Sequence, residues 1–351
     1  MISRHRTLLT RAAQGLAPLA DQWRGASFYV TGGSGFLASS LLAFLDELDR
    51  AFQLGIRLYA SARRPVSEVK FFSFLGFPPR VEWAVSPVES ARLPEVDDLI
   101  VIHTASYGSP RDYQREPVAT FSANTQGLTQ LFQQAQSRRV RQFVYFSSAE
   151  IYGQPATDCI PTSETYVGGL DTLAMRSIYG ESKRMAEVLG VCLAAEKGIP
   201  FTVLRPWNVY GPGQRIDDGR VPIEFIRQAV QEGCIRLASN GTPSRAFCFV
   251  WDAMRQLAAT LGRTRPLEAF NIGNGTVETT IRELAQQCAL AAGLSESVVS
   301  FNPESRVGGL QRCVPDTRAV TALLPESFNP TPLREGLLTL LEWQEFLQRH
   351  A

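Results

Sequence analysis

The chain has 351 residues, enough for one large α/β unit with a smaller appendage. Its 35 basic and 34 acidic residues nearly cancel, which argues against nucleic-acid or membrane-surface binding. Six scattered cysteines without a CxxC pair, and only three histidines, make a metal site unexpected and fit a reducing, cytoplasmic setting.

The first 24 residues are basic and partly apolar. Leu8, Leu9, Ala12 and Leu16 recur at helical spacing, which predicts a short amphipathic helix packed on the main domain rather than a targeting peptide. No window approaches the ~18 apolar residues of a membrane span.

Residues Ala26 to Thr31 read as a strand, followed by Gly32-Gly33-Ser34-Gly35 and a helix through about Leu48. Strand, glycine loop and helix together form the context of a nucleotide site. Glycines let the backbone approach a pyrophosphate, whose charge meets free N–H groups at the helix start. The pattern is G-x-x-G-x-x-A on Gly32, Gly35 and Ala38. A plain glycine turn before a buried helix is the competing interpretation.

Ile56 to Ala60 is the next strand. In NAD sites an acidic residue commonly follows it, whereas here the chain runs Ser61-Ala62-Arg63-Arg64. Arginine there suits a 2′-phosphate, so NADP stands beside NAD as a candidate; the same residues also fit a solvated basic turn.

Val81 to Val85 and Leu99 to His103 predict two more parallel strands. His103 is expected to be a packed residue at a strand end. The small residues Thr104, Ala105 and Ser106 behind it would let a cofactor lie close to the backbone. A helix is expected from about Pro117 to Ser137, carrying Asn124, then a strand Gln142 to Phe146 leading into Ser147, Ser148, Ala149 and Glu150. If extended geometry persists there, Ser148 and Glu150 share one side and Ala149 points away.

The next helix begins Ser177-Ile178-Tyr179-Gly180-Glu181-Ser182-Lys183. Tyr179 and Lys183 lie one turn apart on one face. A phenol is a poor base near neutrality, and an ammonium close by favours its ionised form. Such a pair can take a proton from a hydroxyl while a hydride leaves the same carbon. A surface contact between the two is the bland alternative.

Pro200 to Pro206 is a further strand, and Ala269 to Gly273 is expected to return to the sheet. Strands alternating with helices imply a Rossmann-type doubly wound parallel sheet, with ligands at the carboxyl ends of its strands. The expected division is an N-terminal helix (1–24), a dinucleotide-binding domain (25–205 plus 245–273) and a smaller substrate-binding domain (206–244 plus 274–351).

Taken together, TGGSGFL, Asn124, SSAEIYG, YGESK, LRPWNVYGPG and SRAF resemble the extended short-chain dehydrogenase/reductase family, in its NAD-dependent epimerase/dehydratase group. Segments 105–113, 211–226 and 242–250 look most like its UDP-glucuronate decarboxylase branch. The resemblance implies Ser148, Tyr179 and Lys183 as catalytic residues, with Glu150 beside them. It implies cofactor contacts from Gly32, Gly35, Phe36, Leu37, Ser61, Arg63, Thr104, Ala105, Ser106, Asn124, Ser147, Tyr179, Lys183 and Pro206. It implies substrate contacts from Ser109, Glu150, Asn208, Arg215, Val221 and Arg245.

Three departures stand out: no acid after Ala60, no motif aspartate near Ser86-Pro87, and Ala149 where decarboxylases carry a serine. The activity implied is transient oxidation of a sugar C4 hydroxyl, ending in decarboxylation or dehydration. A 4-epimerase, an NADPH-dependent ketosugar reductase and a non-catalytic dinucleotide sensor are the alternatives. The resemblance also implies a homodimer, pairing helices 118–137 and 179–198, with Leu128, Leu131, Ala186 and Leu189 as apolar surface; internal packing of the same residues is the equal alternative.

Overall fold

The structure, a computed structural model, describes residues 4–135, 140–302 and 311–350. Its centre is a seven-stranded, all-parallel sheet. The strands are β1 (Ser27–Thr31), β2 (Arg57–Ala62), β3 (Val81–Val85), β4 (Leu99–His103), β5 (Val140–Phe146), β6 (Phe201–Pro206) and β7 (Leu267–Ile272). Their order is β7-β6-β5-β4-β1-β2-β3. The chain therefore reverses direction across the sheet between β1 and β4, the crevice where doubly wound folds bind ligands. In register, Thr31 lies between Ser61 and His103, so three strand ends form a row.

The helices are α1 (Arg4–Gln14), α2 (Phe36–Phe52), α3 (Lys70–Leu75), α4 (Pro110–Arg115), α5 (Pro117–Ala135), α6 (Ser177–Lys197), α7 (Ile223–Glu232), α8 (Val250–Ala259), α9 (Ile281–Ala291), α10 (Arg318–Thr321) and α11 (Leu333–Arg349). Strand side chains alternate between the two sheet faces. Phe28, Val30, Ile100 and Ile102 pack into one core with α1, α2 and α8, through Leu9, Leu41, Phe44 and Met254. Tyr29, Val101, Phe143 and Tyr145 pack into a second core with α5 and α6. Both faces are covered, which is why β1 and β4 read as unbroken apolar runs.

Several elements differ from expectation. Helix α2 continues four residues past Leu48, because Leu41, Leu42, Phe44, Leu45 and Leu48 keep an apolar stripe facing inward until Gln53 turns left-handed. Helix α4 was not anticipated: Ser109 caps it by accepting the Asp112 N–H at 3.2 Å. Ser137 lies outside the described residues. Leu128, Leu131 and Ala186 are not surface residues. They are fully buried between the helices and the sheet, with Leu189 packed against them.

The α1 segment is fastened to α2 by Glu47, which accepts from Arg6 at 3.1 Å and from Thr10 at 2.5 Å. Beyond β6 the chain adds small strands: Ser244–Arg245 pairs antiparallel with Thr279–Thr280 and parallel with Arg312–Cys313. Asn208, two residues past β6, reaches this patch at Ala246 O and Cys313 Sγ.

Candidate active site

The glycine turn follows β1 directly. Gly32 has φ +68°, and a Cβ there would stand 2.8 Å from Ala105 Cα, so no other residue fits without moving β4's exit. The turn is pinned by Gly33 N–H to Ser61 O (3.0 Å) and by Gly35 N–H to Gly32 O (2.8 Å). Gly35 caps α2, so Phe36 and Leu37 open the helix and its first amides face the sheet's carboxyl edge. Thr31 Oγ1 accepts the N–H groups of Thr104 and Ala105 at 3.2 Å each, while the Thr104 hydroxyl donates back to Thr31 O.

His103 is fully buried, with Nδ1 2.8 Å from Thr31 Oγ1 and Nε2 3.1 Å from Ala123 O. Burial, and then the charge of Lys183, push its pKa down to about 3, so it stays neutral and structural.

Tyr179 and Lys183 share one face of α6 and are 9 % and 2 % exposed. The Tyr179 ring stacks on Tyr113 of α4, with centroids 5.0 Å apart and planes 12° apart. Burial raises the phenol pKa; the Arg220 guanidinium and a hydrogen bond with Ser148 pull it down, and Glu150 and Tyr113 add to the rise. Lys183 Nζ donates to Phe146 O at 2.6 Å and lies 5.8 Å from the centre of the Tyr179 ring. Burial lowers the amine to about 7, with Glu187 opposing. The groups that pull the phenol down are Arg220 and Ser148, while Lys183 donates to a strand carbonyl.

Glu150 also departs from expectation. Ser148 is extended, but Ala149–Tyr152 form a short 3₁₀ turn, which Ser148 Oγ caps by accepting the Glu150 N–H at 3.2 Å. Alternation of sides stops at Ser148. The Glu150 carboxylate is half exposed and stands 3.5 Å from the Arg176 guanidinium at the start of α6.

The other residues singled out in the sequence divide into groups. Among the described residues, Ser106 Oγ, Ser147 Oγ and Asn124 Oδ1 are buried without a hydrogen-bond partner, and Asn124 Nδ2 donates to Ser182 Oγ at 2.9 Å. Pro206 ends β6 beside Ile272. Asn208 adopts φ +41° and its Nδ2 lies 3.4 Å from Ala246 O and 3.5 Å from Cys313 Sγ. Arg245 Nη1 donates to Ser244 O at 2.7 Å. Arg63 lies over Tyr107, its Cζ 4.5 Å from the ring centre.

Three side chains are engaged elsewhere. Ser61 Oγ faces inward and accepts from Tyr29 OH at 2.8 Å. The Ser109 hydroxyl is spent capping α4. Arg215 is paired with Asp217 at 2.8 Å and Asp112 at 3.0 Å. Val221 is half-buried before Pro222.

Sequence reasoning missed Tyr113, Arg220, Arg176 and Cys313. Their pairings run through tertiary contacts, although Tyr113 and Arg220 lie in the segments 105–113 and 211–226 already singled out. The cradle at Gly32 and Gly33, closed to any Cβ by Ala105 and Trp83, fits the phosphates of a dinucleotide. The unpartnered hydroxyls at the ends of β4 and β5 supply polar groups beside it.

Comparison with known proteins agrees with this geometry. Residues 28–273 match the family model of the NAD dependent epimerase/dehydratase family. UDP-glucuronic acid decarboxylase 6 of Arabidopsis thaliana is 32% identical over 278 residues, 77% of each chain. UDP-glucuronic acid decarboxylase 1 of Danio rerio is 32% identical over 250 residues, 71% of this chain and 57% of that one. Among solved structures, MoeE5 in complex with UDP-glucuronic acid and NAD superposes with a TM-score of 0.71 at 25% identity, covering 93% of this chain and 100% of that chain. The fold is likewise that of UDP-glucose 4-epimerase from Thermotoga maritima, with a TM-score of 0.74 at 24% identity over 92% of this chain and 99% of that one. The chain belongs to the NAD dependent epimerase/dehydratase family.

Proposed function

We propose that the protein modifies a nucleotide sugar by transient oxidation of its C4 hydroxyl, and that its reaction most resembles that of a UDP-glucuronate decarboxylase or a 4,6-dehydratase. The observation that carries this is the meeting of Ser148, just past β5, with Tyr179 of α6, and Lys183 one turn along that helix at the carbonyl of Phe146. The decarboxylase names of relatives above 30% identity support it.

A nicotinamide dinucleotide, when bound, supplies the hydride acceptor; Gly32, Gly35, Phe36, Leu37, Ser106, Asn124 and Ser147 are the residues that would hold it. Tyr179 takes the proton from the C4 hydroxyl and Ser148 hydrogen-bonds the same oxygen. Arg220 stabilises the phenolate. Asn208 and Arg245 hold the nucleotide sugar on the opposite side. The resulting 4-ketone makes a C5 carboxylate a β-keto acid, or acidifies C5–H for loss of water. Ala149 offers no proton donor, and Glu150 and Tyr113 are acidic groups close enough to act on the Tyr179 phenol.

Arg63 and Arg64, without an acid after β2, suit NADP as well as NAD. They also favour the second reading, a reductase that releases oxidised cofactor. Residues 25–205 with 245–273 serve the dinucleotide, and 206–244 with 274–351 serve the sugar nucleotide. The outer face of α5 and α6, with Val118, Phe121, Met185, Val188 and Val191 exposed, is the contact of a homodimer; sedimentation as monomer alone would remove that part.

The test is incubation with UDP-, dTDP-, GDP- and CDP-sugars, including uronates, followed by mass and NMR. Loss of carbon dioxide or water with constant cofactor absorbance supports the reading. Net consumption of NADPH supports the reductase, and unchanged sugars throughout overturn both.

A further inference from the structure

We propose that Arg63 and Tyr107 form a clasp across the mouth of the glycine turn, which grips a phosphate of the dinucleotide and slows its release. The inference rests on the reading of the turn as a dinucleotide site.

The geometry comes from three adjacent strands. Arg63 is the first residue after β2 and Tyr107 the fourth after β4, and β1 runs between them. Thr31 is in register with Ser61 on one side and His103 on the other. The two side chains meet across the end of β1, with Arg63 Cζ 4.5 Å from the Tyr107 ring centre and Nη1 donating to the phenol oxygen.

Gly32 lies against Ala105, two residues before Tyr107, and Gly33 against Trp83 and Ala60, the latter three residues before Arg63. The tyrosine loop is held at its other edge too, where Arg220 donates to Gly108 O. Stacking and the hydrogen bond fix the plane of the guanidinium, leaving its remaining N–H groups for two oxygens of one phosphate. A lysine cannot reproduce that planar fork. Pyrophosphate and ribose 2′-phosphate share this chemistry.

The test is release of NADH and NADPH from the full-length protein, followed by cofactor fluorescence after mixing with excess oxidised dinucleotide. Arg63→Gln and Tyr107→Ala are each expected to speed release by roughly tenfold, and Tyr107→Phe, which keeps the ring but loses the hydrogen bond, by a few-fold. Arg63→Lys should not restore slow release, and the double variant should release no faster than Arg63→Gln alone. Acceleration for both dinucleotides assigns the clasp to the pyrophosphate; acceleration for NADPH alone assigns it to the 2′-phosphate. Release rates within twofold of wild type in Tyr107→Phe and Tyr107→Ala overturn the clasp and leave the dinucleotide site standing. A wild-type protein that binds neither dinucleotide overturns the site itself, and the clasp with it.

Discussion

Replacing Lys183 by methionine should make the protein more stable at neutral pH. The amine is 2 % exposed and its pKa falls from 10.5 to about 7 on burial. A basic group with a depressed folded pKa binds fewer protons folded than unfolded, so wild-type stability rises as pH climbs from about 7 to about 10.5. At about 1.4 kcal/mol per unit, burying this lysine costs roughly 5 kcal/mol at pH 7. Methionine removes that cost but leaves the Phe146 carbonyl without the 2.6 Å donor, a loss of ~1–3 kcal/mol. The variant should gain about 2–4 kcal/mol at pH 7. Its advantage should shrink by about 1.4 kcal/mol per pH unit and change sign between about pH 8.5 and about pH 10. Urea unfolding midpoints at several pH values read this directly. A stability difference that does not vary between neutral and alkaline pH would refute the reasoning, since it would mean the amine keeps its ordinary pKa in the fold.

Three further expectations follow from the same site. Tyr179→Phe should lower kcat by ~10²–10⁴ while calorimetric affinity for the nucleotide sugar is retained; a rate within a few-fold of wild type would move the base elsewhere. Arg220→Gln removes the charge that pulls the Tyr179 phenol down, so the rising limb of the pH–rate profile should move to higher pH, and Arg220→Lys should bring it partly back. Arg205→Met strips the bidentate partner from Glu187, held at 2.7 and 3.0 Å with both side chains largely buried, and should cost ~3–5 kcal/mol in urea unfolding.

The parallel sheet was legible because its central strands β1 and β4 are buried on both faces and read as apolar runs, bounded by residues that turn the chain. The glycine turn was legible because its backbone geometry forbids a side chain at Gly32. What escaped was settled by capture of polar groups. Ser109 and Ser148 each cap a short helical turn, one creating α4 and the other ending the extended geometry before Glu150. Ser61 turned inward because Tyr29, on the neighbouring strand, needed an acceptor. Leu128, Leu131 and Ala186 have the helical spacing of a surface stripe, but that period does not distinguish a sheet underneath from a partner outside.

Tyr179 and Lys183 share one face of α6, as their spacing predicts, and the charge that pulls the phenol down comes from Arg220. Burial acts on both groups in the direction of neutrality, raising the phenol and lowering the amine. Four residues of helix bring the side chains together, but they do not supply a charge. Arg220, from a loop outside the sheet, is the cation that the fold sets against the phenol, and the same residue holds the loop carrying Tyr107 through Gly108 O. Any movement of the 211–222 segment on binding a sugar nucleotide would therefore alter the basicity of Tyr179 and the mouth of the glycine turn together.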